Sequence, residues 1–302
     1  MTSVADWVAG ARPRTLPAAV APVLVGTAVA MWDGAALWDR AALALVVALA
    51  LQVGVNYAND YSDGVRGTDA RRVGPVRLVG QGLAAPGAVK RAALLSFAVA
   101  AAAGLALVVL SGQWWLLGVG AAAILAAWTY TGGPRPYGYA GLGEVFVFAF
   151  FGLVAVAGTA LVQVGFISGL AWLGGIGVGA LSCAILVANN LRDIPTDTAT
   201  GKRTLAVRLG DQATRRLYAA LLGAALVVPA LLGVVGLLRP DALPAAGALG
   251  LGAALPALAP LRSVRGGAVG RDLVPVLVAT GRTLLGYGVL LSVGIAVGAL
   301  VR

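Results

Sequence analysis

Acidic side chains are scarce in this chain, twelve among 302 residues, and five of them fall in two short stretches. The first reads Asn56-Tyr57-Ala58-Asn59-Asp60-Tyr61-Ser62-Asp63 and continues to Gly67-Thr68-Asp69. The second reads Asn189-Asn190-Leu191-Arg192-Asp193-Ile194-Pro195-Thr196-Asp197 and continues to Gly201-Lys202-Arg203-Thr204. Both contain Asn-x-x-x-Asp, as Asn59/Asp63 and Asn189/Asp193, and the second adds Asp197 four residues on. Side chains four apart share one helix face, so Asp193 joins Asn189 there, and Asp197 reaches the same point if the helix continues.

Carboxylates grouped at membrane depth repel one another and need compensation, which makes them a functional hypothesis by default. The chain has no histidine and a single cysteine, Cys183. That excludes His-based triads, His-ligated zinc, haem and any multi-cysteine site. A metal here is held by oxygen, which points to Mg²⁺ or a similar hard cation. Mg²⁺ prefers one or two carboxylates plus substrate phosphate oxygens, and Arg66, Arg71, Arg72, Arg77, Lys202 and Arg203 stand beside the acids to grip the same anion. The alternative is a pair of helix caps in solvated loops. Two similar clusters in so acid-poor a chain weigh against it.

The elements that must carry these clusters are helices in lipid. The sequence is 60% hydrophobic and 11% charged, with a mean hydropathy of +0.91, where a soluble chain is roughly a quarter charged. Apolar stretches of about 20 residues, each able to cross roughly 30 Å of hydrocarbon, recur near 15–32, 41–60, 91–111, 114–131, 143–163, 168–190, 214–238, 242–260 and 273–300. Lipid leaves the backbone no outside partner, so these are helical, and their continuous apolar character argues against a barrel. The expectation is an all-α integral membrane protein, one polytopic domain over 1–302 with nine transmembrane helices, the acidic motifs at 56–69 and 189–203 following the second and sixth. The stretch after Arg12 and Arg14 reads as an uncleaved first helix rather than a signal peptide. Pro275, Gly281 and Arg282 suggest a last span that begins as a broken or interfacial segment.

The net charge of +10 lies in the loops, without a nucleic-acid motif. On one side fall Arg12, Arg14, Arg66, Arg71, Arg72, Arg77, Lys90, Arg91, Arg135, Arg192, Lys202, Arg203, Arg208, Arg215, Arg216, Arg262, Arg265 and Arg271. On the other fall only Arg40, Arg239 and Arg302. The positive-inside rule therefore places the N-terminus and both acidic motifs in the cytoplasm and the C-terminus outside. A multi-pass protein of the cell membrane is expected.

At these residues the sequence resembles the UbiA superfamily of intramembrane aromatic prenyltransferases, and most closely its naphthoate branch. The resemblance covers most of the chain. It rests on Arg12-Pro13-Arg14-Thr15-Leu16-Pro17, the run from Asn56 to Asp69, Gly74-Pro75-Val76-Arg77-Leu78, Tyr130-Thr131-Gly132-Gly133-Pro134 and Gly141-Leu142-Gly143-Glu144. It continues through the second acidic motif to Gly201-Lys202-Arg203-Thr204 and Leu209-Gly210. It implies a helical bundle around a central cavity open to lipid for a prenyl tail. Asn59, Asp63, Asp193 and Asp197 would be the catalytic Mg²⁺ ligands, with Asp60 and Asp69 as supporters. Asp69 stands in for a carboxylate that the general pattern places where Gly67 lies here. Arg77, Lys202 and Arg203 would hold diphosphate. The substrates implied are a polyprenyl diphosphate and 1,4-dihydroxy-2-naphthoate, joined with loss of the ring carboxyl group.

Tyr57, Tyr61, Tyr130, Tyr137, Tyr139 and Phe146 are candidates to stabilise an allylic cation, against an ordinary place in the interfacial belt or core. Glu144 either lines the acceptor pocket or stabilises a helix N-terminus. Arg12 either meets the acceptor carboxylate or sets topology. A different aromatic acceptor (4-hydroxybenzoate, homogentisate, a chlorin or haem) and, in another class, a divalent-cation transporter are the competing readings.

Overall fold

The computed structural model describes residues 2–34, 36–67 and 76–302, and among them every regular element is helical. Asp69, Arg71 and Arg72 lie outside the described residues. A short helix α1 (Val4–Ala11), closed by a Ser3/Asp6 capping box, leads through Arg12 into α2 (Pro17–Trp32). Then come α3 (Trp38–Val65), α4 (Pro86–Ser111), α5 (Leu116–Thr129) and α6 (Gly143–Val164). The chain ends with α7 (Gly169–Ala199), α8 (Asp211–Leu238), α9 (Ala245–Arg265) and α10 (Gly270–Leu300).

All nine expected stretches are helical, and seven are by themselves long and apolar enough to cross a membrane. The other two differ for physical reasons. The first is part of a pair bent by 49° between Val4–Thr15 and Pro17–Trp32. Arg12 adopts φ 55 there, and Pro13 and Pro17 each begin a new turn. The second is α5, whose 14 residues extend about 21 Å at 1.5 Å each, short of the hydrocarbon thickness. The expected break in the last span is absent: Leu273–Leu300 is one continuous helix, and Arg282 sits on its exposed face.

α7 is the central post, with 72% of its apolar segment inside the fold against 44% or less for the other long helices. It packs against α2, α6, α8 and α10, and α3 lies along α4. Small residues permit this closeness, as expected where lipid supplies no hydrophobic drive between helices. At Gly152 a Cβ would fall 2.6 Å from both the Gly175 carbonyl oxygen and Gly179 Cα. Beside that contact α6 widens into a π-helical stretch, Phe148–Val154, a distortion that recurs at functional sites. Helix ends are sealed locally. Gly165 (φ 85) closes α6, and the Ser168 hydroxyl caps α7 at Ala171 N, 3.3 Å away.

Candidate functional site

Both acidic motifs are helical. α3 continues to Val65 and α7 to Ala199, so Asn59/Asp63 and Asn189/Asp193/Asp197 occupy successive turns at the motif-bearing ends of two long helices. The two ends meet. Asp63 Oδ1 accepts from Lys202 Nζ at 3.2 Å and from the Tyr139 hydroxyl at 2.5 Å, and Arg77 lies 3.9 Å from Oδ2. Lys202 also sits 4.5 Å from the centre of the Tyr139 ring. Residues 139 positions apart thus form one buried polar cluster.

The cluster stands on the wall of a cavity of about 1540 Å³. Asn59, Asp63, Arg77, Asn189, Asp197 and Lys202 supply its polar wall. Val23, Ala48, Leu105, Ile124 and Phe150 contribute to the apolar remainder. Arg12 and Tyr130 line it too, as do Tyr137 and Phe146, whose rings stack with centroids 4.0 Å apart. Tyr130 meets Tyr137 edge-on at 5.4 Å. Burial pushes the Tyr137 phenol well above its ordinary value, so the ring presents a neutral face. The turn bearing Arg12 is held on α3 by Gln52 and Asn56. Both donate to Thr15 Oγ1, at 2.8 and 3.0 Å, and Asn56 also donates to the Ala11 carbonyl.

Several residues expected in the site have other work. Asp60 is fully buried off the cavity wall, and its two oxygens accept the backbone amides of Leu78 (2.7 Å) and Val79 (3.1 Å). It braces the segment that delivers Arg77. The Tyr57 hydroxyl donates to the Trp7 carbonyl in a satellite core. Tyr61 packs on Trp128 under Lys90, also away from the cavity. Arg203 is exposed, and its contribution is a backbone amide donated to the Tyr139 carbonyl at 3.0 Å. Asp193 is buried behind the wall, with both oxygens bonded by Arg192 at 2.7 and 2.8 Å. Glu144 is buried between α6 and α7, where its Oε1 accepts from Asn190.

Sequence reading passed over Arg192 and Asn190, which line the cavity, and Thr131, which donates to Asn59 Oδ1 at 2.8 Å. Nothing in their spacing marked them. Among the described residues, no three Asp, Glu, His or Cys side chains gather into a metal site of their own. The donors present, carboxylates and amide oxygens on the same cavity wall as Lys202 and Arg77, suit a cation that takes its remaining ligands from substrate and water.

Residues 19–271 match the model of the UbiA prenyltransferase family. The chain is 54% identical to the 1,4-dihydroxy-2-naphthoate octaprenyltransferase of Mycobacterium tuberculosis, over 99% of this chain and 100% of that protein. It is 42% identical to the Escherichia coli enzyme of the same name, over 76% of this chain and 77% of that one. Among solved structures it resembles a UbiA homolog from Aeropyrum pernix K1, with TM-score 0.68, 17% identity and coverage of 93% and 97%. It also resembles one from Archaeoglobus fulgidus bound to GPP and Mg²⁺, with TM-score 0.65, 13% identity and coverage of 95% and 99%. With its paired acidic helix ends opening on one large apolar cavity, the chain belongs to the UbiA prenyltransferase family.

Proposed function

We propose that this protein transfers a polyprenyl group from its diphosphate to 1,4-dihydroxy-2-naphthoate, with loss of the ring carboxyl group as CO₂, giving the reduced, quinol form of demethylmenaquinone. The observation that carries the reading is the Asp63–Lys202 contact on the wall of a cavity far larger than one aromatic ring needs. Identities of 42 to 54% with enzymes of that name support the acceptor.

The diphosphate sits among Lys202, Arg77, the amides Asn59 and Asn189 and the carboxylates Asp63 and Asp197, with Asp193 one helical turn from both Asn189 and Asp197. Mg²⁺, when bound with the donor, supplies charge neutralisation for the departing diphosphate. Lys202 and Arg77 add fixed positive charge on the same side, where the C–O bond breaks and its electron pair leaves with oxygen. Asp63 holds Lys202 in place, and the Tyr139 hydroxyl steadies the same carboxylate oxygen. The allylic cation left behind faces the Tyr130, Tyr137 and Phe146 rings. The electron-rich ring carbon bearing the carboxyl group then forms the new C–C bond, and departure of CO₂ restores aromaticity. No strong protein base is needed, which suits a chain without histidine. The apolar walls take the prenyl tail.

The protein is placed in the cell membrane with its N-terminus and the diphosphate site on the cytoplasmic side, on the basic-residue asymmetry. The test is direct. Purified protein is incubated with Mg²⁺, a long prenyl diphosphate and 1,4-dihydroxy-2-naphthoate, and the products are analysed by mass. A prenylated, decarboxylated product is expected, and its loss on adding a chelator. Product from 4-hydroxybenzoate or homogentisate but none from the naphthoate would overturn the acceptor assignment.

A further inference from the structure

Asn190 lies on the cavity wall with only 6% of its surface exposed. Its Nδ2 donates to Glu144 Oε1 at 3.0 Å. This bond fixes which way the amide faces. With the nitrogen turned to Glu144, Oδ1 has no hydrogen-bond partner among the described residues. Glu144 is in turn held in the α6–α7 seam, 8% exposed, where its backbone carbonyl accepts from the Cys183 thiol at 3.1 Å. Its second carboxyl oxygen is buried with no partner. No salt bridge joins Glu144 to any described Lys or Arg. A carboxyl buried so expensively for one amide contact has a purpose beyond packing.

The neighbouring wall is aromatic. A Cβ added at Gly143 would lie 3.2 Å from Tyr130 Cε2 and 3.3 Å from Leu186 Cδ2. Tyr130 and Leu186 therefore converge on the residue before Glu144, and Leu186 is one helical turn before Asn190. Asn190 thus lines the same cavity as the Tyr130, Tyr137 and Phe146 rings. Deeper on the same helix, Ser182 lines the cavity with a buried hydroxyl that has no partner. Aromatic rings and one hydrogen-bond acceptor held by Glu144 are thus offered to a slot of the same cavity.

We infer that this slot receives the aromatic acceptor and that Asn190 Oδ1 accepts a hydrogen bond from one of its ring hydroxyls, with Glu144 as the positioning residue that sets the amide. The inference rests on the acceptor being a hydroxynaphthoate, as proposed above. A site built to bond a hydroxyl rejects the analogue lacking it far more strongly than an apolar pocket does. The bond also leaves electron density on the hydroxyl oxygen, which favours attack by the ring.

The experiment measures competitive inhibition by 1-hydroxy-2-naphthoate and 4-hydroxy-2-naphthoate, with KM for both substrates, in wild type, Asn190→Leu, Glu144→Leu and Glu144→Gln. Wild type is expected to bind one analogue at least about tenfold more weakly than the dihydroxy acceptor. Asn190→Leu and Glu144→Leu lose that preference and raise the acceptor KM by about tenfold, with the prenyl diphosphate KM unchanged. Glu144→Gln, which still accepts from Asn190, restores it. Retention of wild-type discrimination in Asn190→Leu would overturn the inference alone. So would a parallel rise in both KM values, the mark of a purely structural role. Absence of any naphthoate turnover in wild type would end the proposed function and this inference together.

Discussion

Asp60 and Asp63 stand three residues apart on one helix and have opposite fates. Asp60 turns into the protein, where its oxygens satisfy two backbone amides. Removing them leaves buried donors unpaired, which costs about 1–3 kcal/mol. Asp60→Ala is therefore expected to lower the melting temperature in detergent before it touches the chemistry, as thermal unfolding followed beside activity will show. Asp63 turns to the cavity and organises Lys202 and Tyr139. Asp63→Ala and Lys202→Ala should each reduce kcat by about 10²–10³-fold. Tyr139→Phe, which keeps the ring under Lys202 but loses the bond to Asp63, is expected to cost about tenfold in kcat/KM. Equal activity in Tyr139→Phe and wild type would show that the hydroxyl does not steady the carboxylate.

At the scale of the element, the geometry of the site depends on how closely α6 approaches α7. Gly152 meets the backbone of α7 directly, so a methyl group there has no flexible neighbour to displace. Gly152→Ala should destabilise the fold by about 1–3 kcal/mol and reduce turnover, since Phe150 and Phe151 flank it on the cavity wall. Gly158 lies farther along α6 with nothing within 4 Å of an added Cβ. Gly158→Ala is expected to leave stability unchanged. Unfolding of both variants in mild detergent separates the two cases. At the opposite end of the bundle Arg40 donates to the Val162 carbonyl at 2.6 Å and the Leu110 carbonyl at 2.7 Å. It thus satisfies last-turn carbonyls of α6 and α4 together, a structural role for one of the few basic residues at that end.

For the whole molecule, the asymmetry of basic residues makes a prediction that needs no substrate. The only cysteine, Cys183, is buried, so a Cys183→Ser background is silent to thiol reagents. In intact cells an impermeant maleimide should label Arg302→Cys and leave Thr200→Cys unlabelled until the membrane is broken. The reverse pattern would invert the orientation and put the diphosphate site outside. Both positions are exposed, so accessibility to the reagent reports sidedness rather than burial.

The residues alone settled what depends on composition and local period. So apolar a chain must be helical in lipid, because the backbone has no other hydrogen-bond partner there. The four-residue spacing placed Asn59 with Asp63, and Asn189 with Asp193 and Asp197, on common helix faces, because the helix repeat is fixed by covalent geometry. Neither argument says toward what a face turns. That Asp63 meets the cavity while Asp60 meets a backbone turn, that Tyr139 and Tyr137 belong to the site while Tyr57 and Tyr61 do not, and that Lys202 reaches across to α3 were decided by packing between distant segments. Sequence spacing encodes position around one helix axis. Only the neighbours that close on that helix determine which of its sides becomes the wall of a cavity.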